Sequence, residues 1–150
     1  QLIRMSAGTG IQHSEHNASR TEECHLLQIW LLPARRGIAP GYEQKRFGED
    51  MARNRLQVIA APDGRDGALT IYSDAEVHLA RLDADARVEH ALAQDRHAWV
   101  QVARGSLTLE TNPGEHAELA AGDGAGVSSA AQLRLRAGPE GAEFLLFALD

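Results

Sequence analysis

The residues best suited to chemistry lie near the start of the sequence, in the run His13-Ser14-Glu15-His16. If this run is a strand, residues two apart point the same way, so the imidazole of His13 and the carboxylate of Glu15 face one point. An imidazole and a carboxylate together suit a first-row divalent metal ion. Two ligands do not hold such an ion. By spacing alone, a surface turn is therefore the favoured interpretation and a metal site the alternative.

Other groups that could carry chemistry are weaker candidates. Cys24 and His25 are neighbours, and adjacent strand residues point to opposite faces, so we expect a buried, inert thiol rather than an activated nucleophile. The glycine-rich stretch 122–126 lacks the strand and helix of a nucleotide site and predicts a tight turn. The remaining histidines outside residues 13–25 are expected to be solvated or simply hydrogen-bonded; they are His78, His90, His97 and His116.

The composition excludes several classes of protein. The 150 residues are 43% hydrophobic, with a formal net charge of -6, which is typical of one folded domain and argues against nucleic acid as a partner. The longest apolar run, residues 26–33, is too short to span a membrane. The single cysteine cannot form an internal disulfide, so we predict a cytoplasmic protein.

Short stretches of alternating apolar residues separated by glycine-rich turns predict an all-β sandwich or jelly roll, the architecture that must position any site. A glycine at 105 between two of these stretches predicts a hairpin turn. Residues 47–56 have room for one or two helical turns. The predicted strands cover residues 1–5, 25–32, 56–60, 69–72, 77–82, 98–103, 106–109, 133–137 and 144–149.

Specific motifs add a family resemblance. The run MSAGTGIQHSEHN at residues 5–17, followed by HLLQIWL at 25–31 and PGYEQKRF at 40–47, resembles the signature of the pirin family. Pirins are cupins that include quercetin 2,3-dioxygenase-like proteins. The similarity extends over essentially all 150 residues and is densest in the first 70.

The resemblance implies a cupin fold, a jelly-roll β-sandwich or barrel, in a chain that normally has two such barrels. Residues 1–32 would be the last strands of an N-terminal cupin, 33–49 a linker and 50–150 a complete C-terminal cupin. In this family an H-x-H pair and an H-x-E pair hold one divalent transition metal, which could be Fe, Ni, Mn, Cu or Zn. The H-x-E pair maps onto His13 and Glu15, which the resemblance makes metal ligands.

The sequence contains no H-x-H pair, so we expect that it lacks the N-terminal strands and that the fragment is inactive. The C-terminal cupin is expected to be metal-free. Counting back from Gly105 to the usual cupin ligand positions reaches Ala91, Ala93 and His97, so two of the three positions carry no ligand.

Two functions follow from the resemblance. The first is metal-dependent cleavage of a flavonol ring by O2 with release of CO, in which Glu15 serves as ligand and general base and His13 fixes the metal. The alternative is a non-enzymatic regulatory cupin that binds another protein. The corresponding partners are a flavonol-like aromatic substrate or a regulatory protein, with no membrane. Exposed strand edges also predict a dimer or a strand swap.

Overall fold

The computed structural model describes residues 1–128 and 130–150. Within them the chain is nearly all β, with ten strands and two short 3-10 turns, at Glu49–Ala52 and Arg65–Gly67. The strands are β1 Leu2–Ser6, β2 Gly41–Lys45, β3 Gln57–Ala61, β4 Leu69–Thr70, β5 Ala75–Leu82, β6 Arg87–Ala91, β7 His97–Glu110, β8 His116–Ala120, β9 Gly124–Ser128 and β10 Gln132–Leu149.

Two long strands build both layers of the main sheet. The second half of β10 pairs with β5 and the first half with β6, while β7 pairs with β9 through its first half and with β8 through its second. Strands β7 and β10 are antiparallel to each other in both layers. The eight-stranded sheet therefore folds over on itself along these two strands and encloses a core, as a jelly-roll sandwich does.

The fold line passes through glycines. The pairing of β7 with β10 is interrupted between Ala137 and Ala142, and Gly105 lies opposite this interruption with φ of 72°. A Cβ on Gly105 would lie 2.1 Å from the carbonyl oxygen of Gly141. Both the left-handed backbone and the close approach of the two strands therefore require glycine at 105.

Two apolar clusters lie on the two sides of the β5–β10 layer. The inner cluster fills the space between the layers and includes Val100, Leu133, Phe144 and Leu146, all fully buried. The outer cluster lies on the opposite face and is formed by the following buried residues: Ala52, Ile59, Ala60, Ile71, Ala75, Val77, Leu79, Leu145 and Phe147. Strand β5 thus carries buried apolar side chains on both faces, Ala80 and Leu82 on the inner side and Val77 and Leu79 on the outer side.

The first part of the chain forms a separate two-stranded sheet. Strand β1 pairs antiparallel with β2, from Leu2 opposite Lys45 to Ser6 opposite Gly41. Strand β2 lies within the segment 33–49 that we expected to be a linker. Residues 7–40, all within the described part of the chain, contain no strand. The predicted strand at 25–32 is therefore wrong: it has an alternating sequence, but no neighbouring strand supplies the backbone hydrogen bonds that a strand needs.

The predicted hairpin at Gly105 is also wrong, because β7 continues through this glycine as one strand of 14 residues. A positive φ bends the chain here instead of reversing it, since β10 runs alongside β7 on both sides of the bend. The helical turns predicted within 47–56 are reduced to the 3-10 turn at Glu49–Ala52. The tight turn predicted at 122–126 is confined to its first residues, since β9 begins at Gly124.

The strand predicted at 69–72 is shortened to the two residues of β4. The other predicted strands are confirmed, although those at 133–137 and 144–149 are two halves of β10. In the part of the chain that the structure describes, no helix has the length and apolar character needed to cross a membrane.

Replacing Gly105 with alanine should destabilise the fold by about 2–4 kcal/mol, because the new methyl group combines left-handed strain with an overlap against β10. Gly122 provides the matched control: its φ is 94°, but nothing lies within 4 Å of a Cβ placed there. Gly122→Ala should therefore lower the free energy of unfolding only through the left-handed backbone strain, by about 1–2 kcal/mol. Urea unfolding measures the free energy of unfolding of both variants. Equal decreases in the two variants would contradict the close approach of β10 to Gly105.

Candidate functional site

The structure brings the two predicted metal ligands close together. The Nδ1 atom of His13 lies 3.7 Å from Oε1 of Glu15, and their side chains are 34% and 49% exposed. The segment around them is irregular, so the expectation that they share a strand face is wrong. Their spacing of two residues is nevertheless short enough for both side chains to reach one point on the surface. The pair can therefore offer one nitrogen and one oxygen ligand to an ion.

No further ligand joins this pair in the described residues. Across residues 1–128 and 130–150, no group of three or more His, Cys, Asp or Glu side chains is arranged to hold a metal ion. Cys24 is exposed, so the expectation of a buried thiol is wrong. The physical reason is that residues 7–40 form no strand layer and enclose no interior. The pair at His13 and Glu15 is thus an incomplete donor set.

A second cluster of polar side chains lies in the main sandwich, where the sequence predicted no site. His78 on β5 is 8% exposed, and its Nε2 atom lies 3.3 Å from Oε2 of Glu76. The rings of His78 and His90 meet edge to face, with centroids 5.1 Å apart. Arg65 Nη2 contacts the same oxygen of Glu76 at 2.5 Å. The cluster therefore combines two imidazoles, one carboxylate and one guanidinium.

Burial and neighbouring charges shift the ionisation of this cluster. Burial is the main cause that lowers the pKa of His78, and the charge of the adjacent His90 lowers it further, although Glu76 opposes the shift. Burial also lowers the pKa of His90. The hydrogen bond from Arg65 lowers the pKa of Glu76. At neutral pH the two imidazoles are therefore uncharged, and the carboxylate is ionised.

The sequence held one signal for this cluster, the spacing of Glu76 and His78. Residues two apart on a strand share a face, so the two were predictable neighbours once β5 was recognised. His90 carries no such signal, because it meets His78 through the folding of β6 over β5 and not through sequence spacing.

Comparison with known proteins identifies the family. The family model described as "Quercetinase C-terminal cupin domain" matches residues 58–149, and the model "Pirin" matches residues 1–31. The chain belongs to the pirin family. The C-terminal match covers the sandwich from β3 to β10, which is therefore a cupin, and the N-terminal match includes His13 and Glu15.

Curated pirin relatives are named as quercetin dioxygenases. The chain is 46% identical over 105 residues to a quercetin 2,3-dioxygenase of Escherichia coli (strain K12), an alignment covering 70% of this chain and 44% of that protein. It is 44% identical over 122 residues to a putative quercetin 2,3-dioxygenase of Mycobacterium tuberculosis (strain H37Rv), covering 80% and 48%. The chain thus spans about half the length of the curated relatives it matches.

Solved pirin structures share the fold. YhhW from Escherichia coli superposes with a TM-score of 0.87 at 37% identity, covering 99% of this chain and 59% of that one. YhhW in complex with nickel(II) superposes with a TM-score of 0.85 at 37% identity, covering 98% and 60%. A pirin similar to this chain therefore binds a divalent metal ion.

The buried histidines predict how stability depends on pH. Because folding lowers the pKa of His78 and His90, the unfolded chain binds more protons than the folded chain once the pH falls towards 6.5, the ordinary histidine value. The free energy of unfolding should therefore decrease as the pH falls from 7 to 5. Glu76, whose pKa is lowered from 4.5, keeps its contribution across this range and loses it only at lower pH.

Urea unfolding at several pH values, on the parent and on His78→Gln, measures this dependence. The variant should show a shallower loss of stability between pH 7 and pH 5, because one of the two titrating groups is gone. Ala121→Gln in the exposed turn after β8 is the control; it removes no titrating group and should keep the parent slope. An unchanged slope in His78→Gln would contradict the assignment.

Proposed function

We propose that this pirin chain contributes to a metal-dependent dioxygenase that cleaves a flavonol ring with O2, and that His13 and Glu15 are two of its metal ligands. The main observation that supports this proposal is that an imidazole nitrogen of His13 lies 3.7 Å from a carboxylate oxygen of Glu15. The pair lies within the segment that matches the pirin model, residues 1–31. The quercetin dioxygenase names of its relatives support the choice of reaction.

The chemistry of the pair fits a divalent transition metal in part. A neutral imidazole and an ionised carboxylate are ligands that Fe, Ni, Mn, Cu and Zn accept, and the nickel complex of YhhW supports such an ion. Two side chains fill only part of its coordination shell, and further donors have to complete it. We therefore expect the 150 residues alone to bind metal weakly and to be inactive in the dioxygenase reaction.

A bound metal ion would act as a Lewis acid towards the hydroxyl oxygen of the substrate and tune its reaction with O2. In this proposal His13 holds its ring nitrogen towards the ion. Glu15 has two roles, since one carboxylate oxygen can ligate while the other accepts the hydroxyl proton of the flavonol. The exposure of both side chains leaves room for a flat aromatic substrate on the solvent side.

The proposed division of the chain follows the same scheme. Residues 1–32 belong to the metal-binding cupin, 33–49 connect the two cupins and also add β2 to β1, and 50–150 form the C-terminal cupin. The C-terminal cupin then has a supporting role in the dioxygenase reaction, because the ligand positions counted back from Gly105 carry Ala91 and Ala93.

Metal analysis and gas exchange test the proposal on the protein as expressed from its gene. After incubation with Ni2+, we expect bound metal near one equivalent, O2 uptake with quercetin and release of CO. His13→Ala should reduce both bound metal and O2 uptake by more than tenfold, because a ligand is lost. Glu15→Gln should reduce O2 uptake more strongly than metal content, because the amide cannot accept the proton.

His25→Ala is the matched control, a histidine in the same irregular segment that has no proposed role. It should keep the metal content and the O2 uptake of the parent. Full metal occupancy in His13→Ala would overturn the ligand assignment. A metal-loaded protein that takes up no O2 with any flavonol tested would overturn the dioxygenase and favour a regulatory protein.

The alternative function is a non-enzymatic regulatory cupin that binds another protein or a second copy of itself. One observation favours it: large apolar side chains are exposed in residues 26–32, with Trp30 at 87% and Leu32 at 89%. Contiguous exposed apolar residues are typical of interaction surfaces. This surface would also serve the dimer or strand swap expected from the sequence.

Light scattering during size-exclusion chromatography tests the self-association. The parent should show a mass that rises with concentration, and the double variant Trp30→Ser/Leu32→Ser should elute as a monomer. Tyr42→Ser, an exposed aromatic residue on β2, should behave like the parent. A parent that stays monomeric at all concentrations would argue against self-association through this surface.

A further inference from the structure

A polar pocket opens on the C-terminal cupin, away from His13 and Glu15. Its volume is about 420 Å³, within the roughly 300–1,000 Å³ of small-molecule pockets. The wall is formed by strand β3, the 3-10 turn Arg65–Gly67 and strand β5. The lining residues are Leu56, Gln57, Val58, Arg65, Asp66 and His78.

His78 is out of place if it has only a structural role. Among the residues that the structure describes, it is the one polar or charged side chain that is buried. It lies on the same face of β5 as Ala80 and Leu82, which belong to the inner apolar cluster. Its hydrogen bond to Glu76 is long, at 3.3 Å. Because His78 also lines the pocket, its imidazole can reach a ligand as well as Glu76 and His90.

The polar groups around the pocket are held in place by one another. Arg65 contacts Glu76 at 2.5 Å and Asp63 at 3.4 Å. Glu76 in turn contacts His78, whose ring packs edge to face on His90. These contacts link the 3-10 turn to β5 and β6, so the lining groups are oriented before any ligand arrives.

The backbone conformation of the turn also helps to form the pocket wall. Asp66 is a non-glycine residue with φ of 53°, and Gly64 before it has φ of 63°. A Cβ on Gly64 would lie 2.7 Å from Oγ1 of Thr70, so the turn lies tightly against the strand that follows it. Left-handed residues of this kind occur often at binding sites. Here they place Arg65 and Asp66 in the pocket wall.

The charges select against ions as ligands. Arg65 is paired with Asp63 and Glu76, and Asp66 adds a third carboxylate at the pocket wall. The second nearby cation is Lys45, whose ammonium group donates to the carbonyl oxygen of Gly67 in the same turn. The slight negative excess disfavours an anion. Metal binding is disfavoured because Glu76 is occupied by Arg65, and no three potential ligands in the described residues form a metal site.

The lining instead offers closely spaced donors and acceptors. Arg65 has N–H groups left after its contacts with Glu76 and Asp63, while Asp66 and the amide oxygen of Gln57 accept hydrogen bonds. The neutral imidazole of His78 donates from Nε2 to Glu76, so its Nδ1 atom remains as an acceptor. Hydroxyl groups, which both donate and accept, match this mixed set. We propose that the C-terminal cupin binds a small, uncharged polyhydroxylated molecule of monosaccharide size in this pocket.

Histidine ring NMR tests the proposal on the full chain, with D-glucose and myo-inositol as probes. We expect at least one of them to shift the His78 and His90 ring resonances in a saturable way. Arg65→Ala should weaken that binding by about tenfold or more, because a charged donor is lost. Gln57→Ala, on a different element, should also weaken it and provides a second variant should Arg65→Ala not fold. Arg136→Ala, which pairs with Asp85 outside the pocket, should bind as the parent does.

Two further probes separate the polyol from ions. Sodium acetate represents an anion and NiCl2 a metal ion, each added in place of the polyols. Saturable shifts with acetate alone, with Ni2+ alone or with none of the four probes would overturn the proposal. Equal polyol binding in the parent, Arg65→Ala and Gln57→Ala would overturn it as well. Because His13 and Glu15 are not involved, these outcomes are independent of the dioxygenase test.

Discussion

The pairing of β7 with β10 is the constraint on which the rest of the sandwich depends. These two strands are the only ones in the described chain that contribute to both layers. Strands β5, β6, β8 and β9 pair directly with one of them, and β3 and then β4 follow beyond β5. The inner apolar cluster forms because both strands bend at the same place. Gly105 and the interruption before Ala142 allow that bend, so one backbone detail sets the position of the core.

The sequence predicted the strands that carry their own pattern, because alternation is a local property of the chain. Residues 133–137 alternate between buried and exposed side chains and form a strand as expected. Residues 77–82 also form a strand, although apolar side chains are buried on both of its faces. The errors come from information that alternation does not contain. Residues 25–32 alternate equally well but have no pairing strand, and Gly105 could mark either a reversal or a bend. Only the presence of β10 alongside β7 decides between these two.

The two candidate sites also differ in how far the sequence predicts them. His13 and Glu15 were predictable from their spacing and from the resemblance to pirins, and their proximity in space follows from two residues of sequence separation. The polar cluster of the C-terminal cupin depends on contacts between β5, β6 and the turn at Arg65–Gly67. The contact of His78 with His90 arises from the folding of one layer over the other, and that of Arg65 with Glu76 from the pairing of β3 with β5. No local pattern of the sequence specifies either contact.

Strand β5 gives the two faces of its layer a common backbone. Val77 and Leu79 point into the outer cluster, which Leu2, Leu31 and Phe47 cover from the first third of the chain, while His78 between them points to the pocket. The side chains on the two faces are therefore separated by a single peptide unit. The packing of the first third of the chain on the outer cluster and the position of His78 at the pocket therefore depend on the same stretch of backbone.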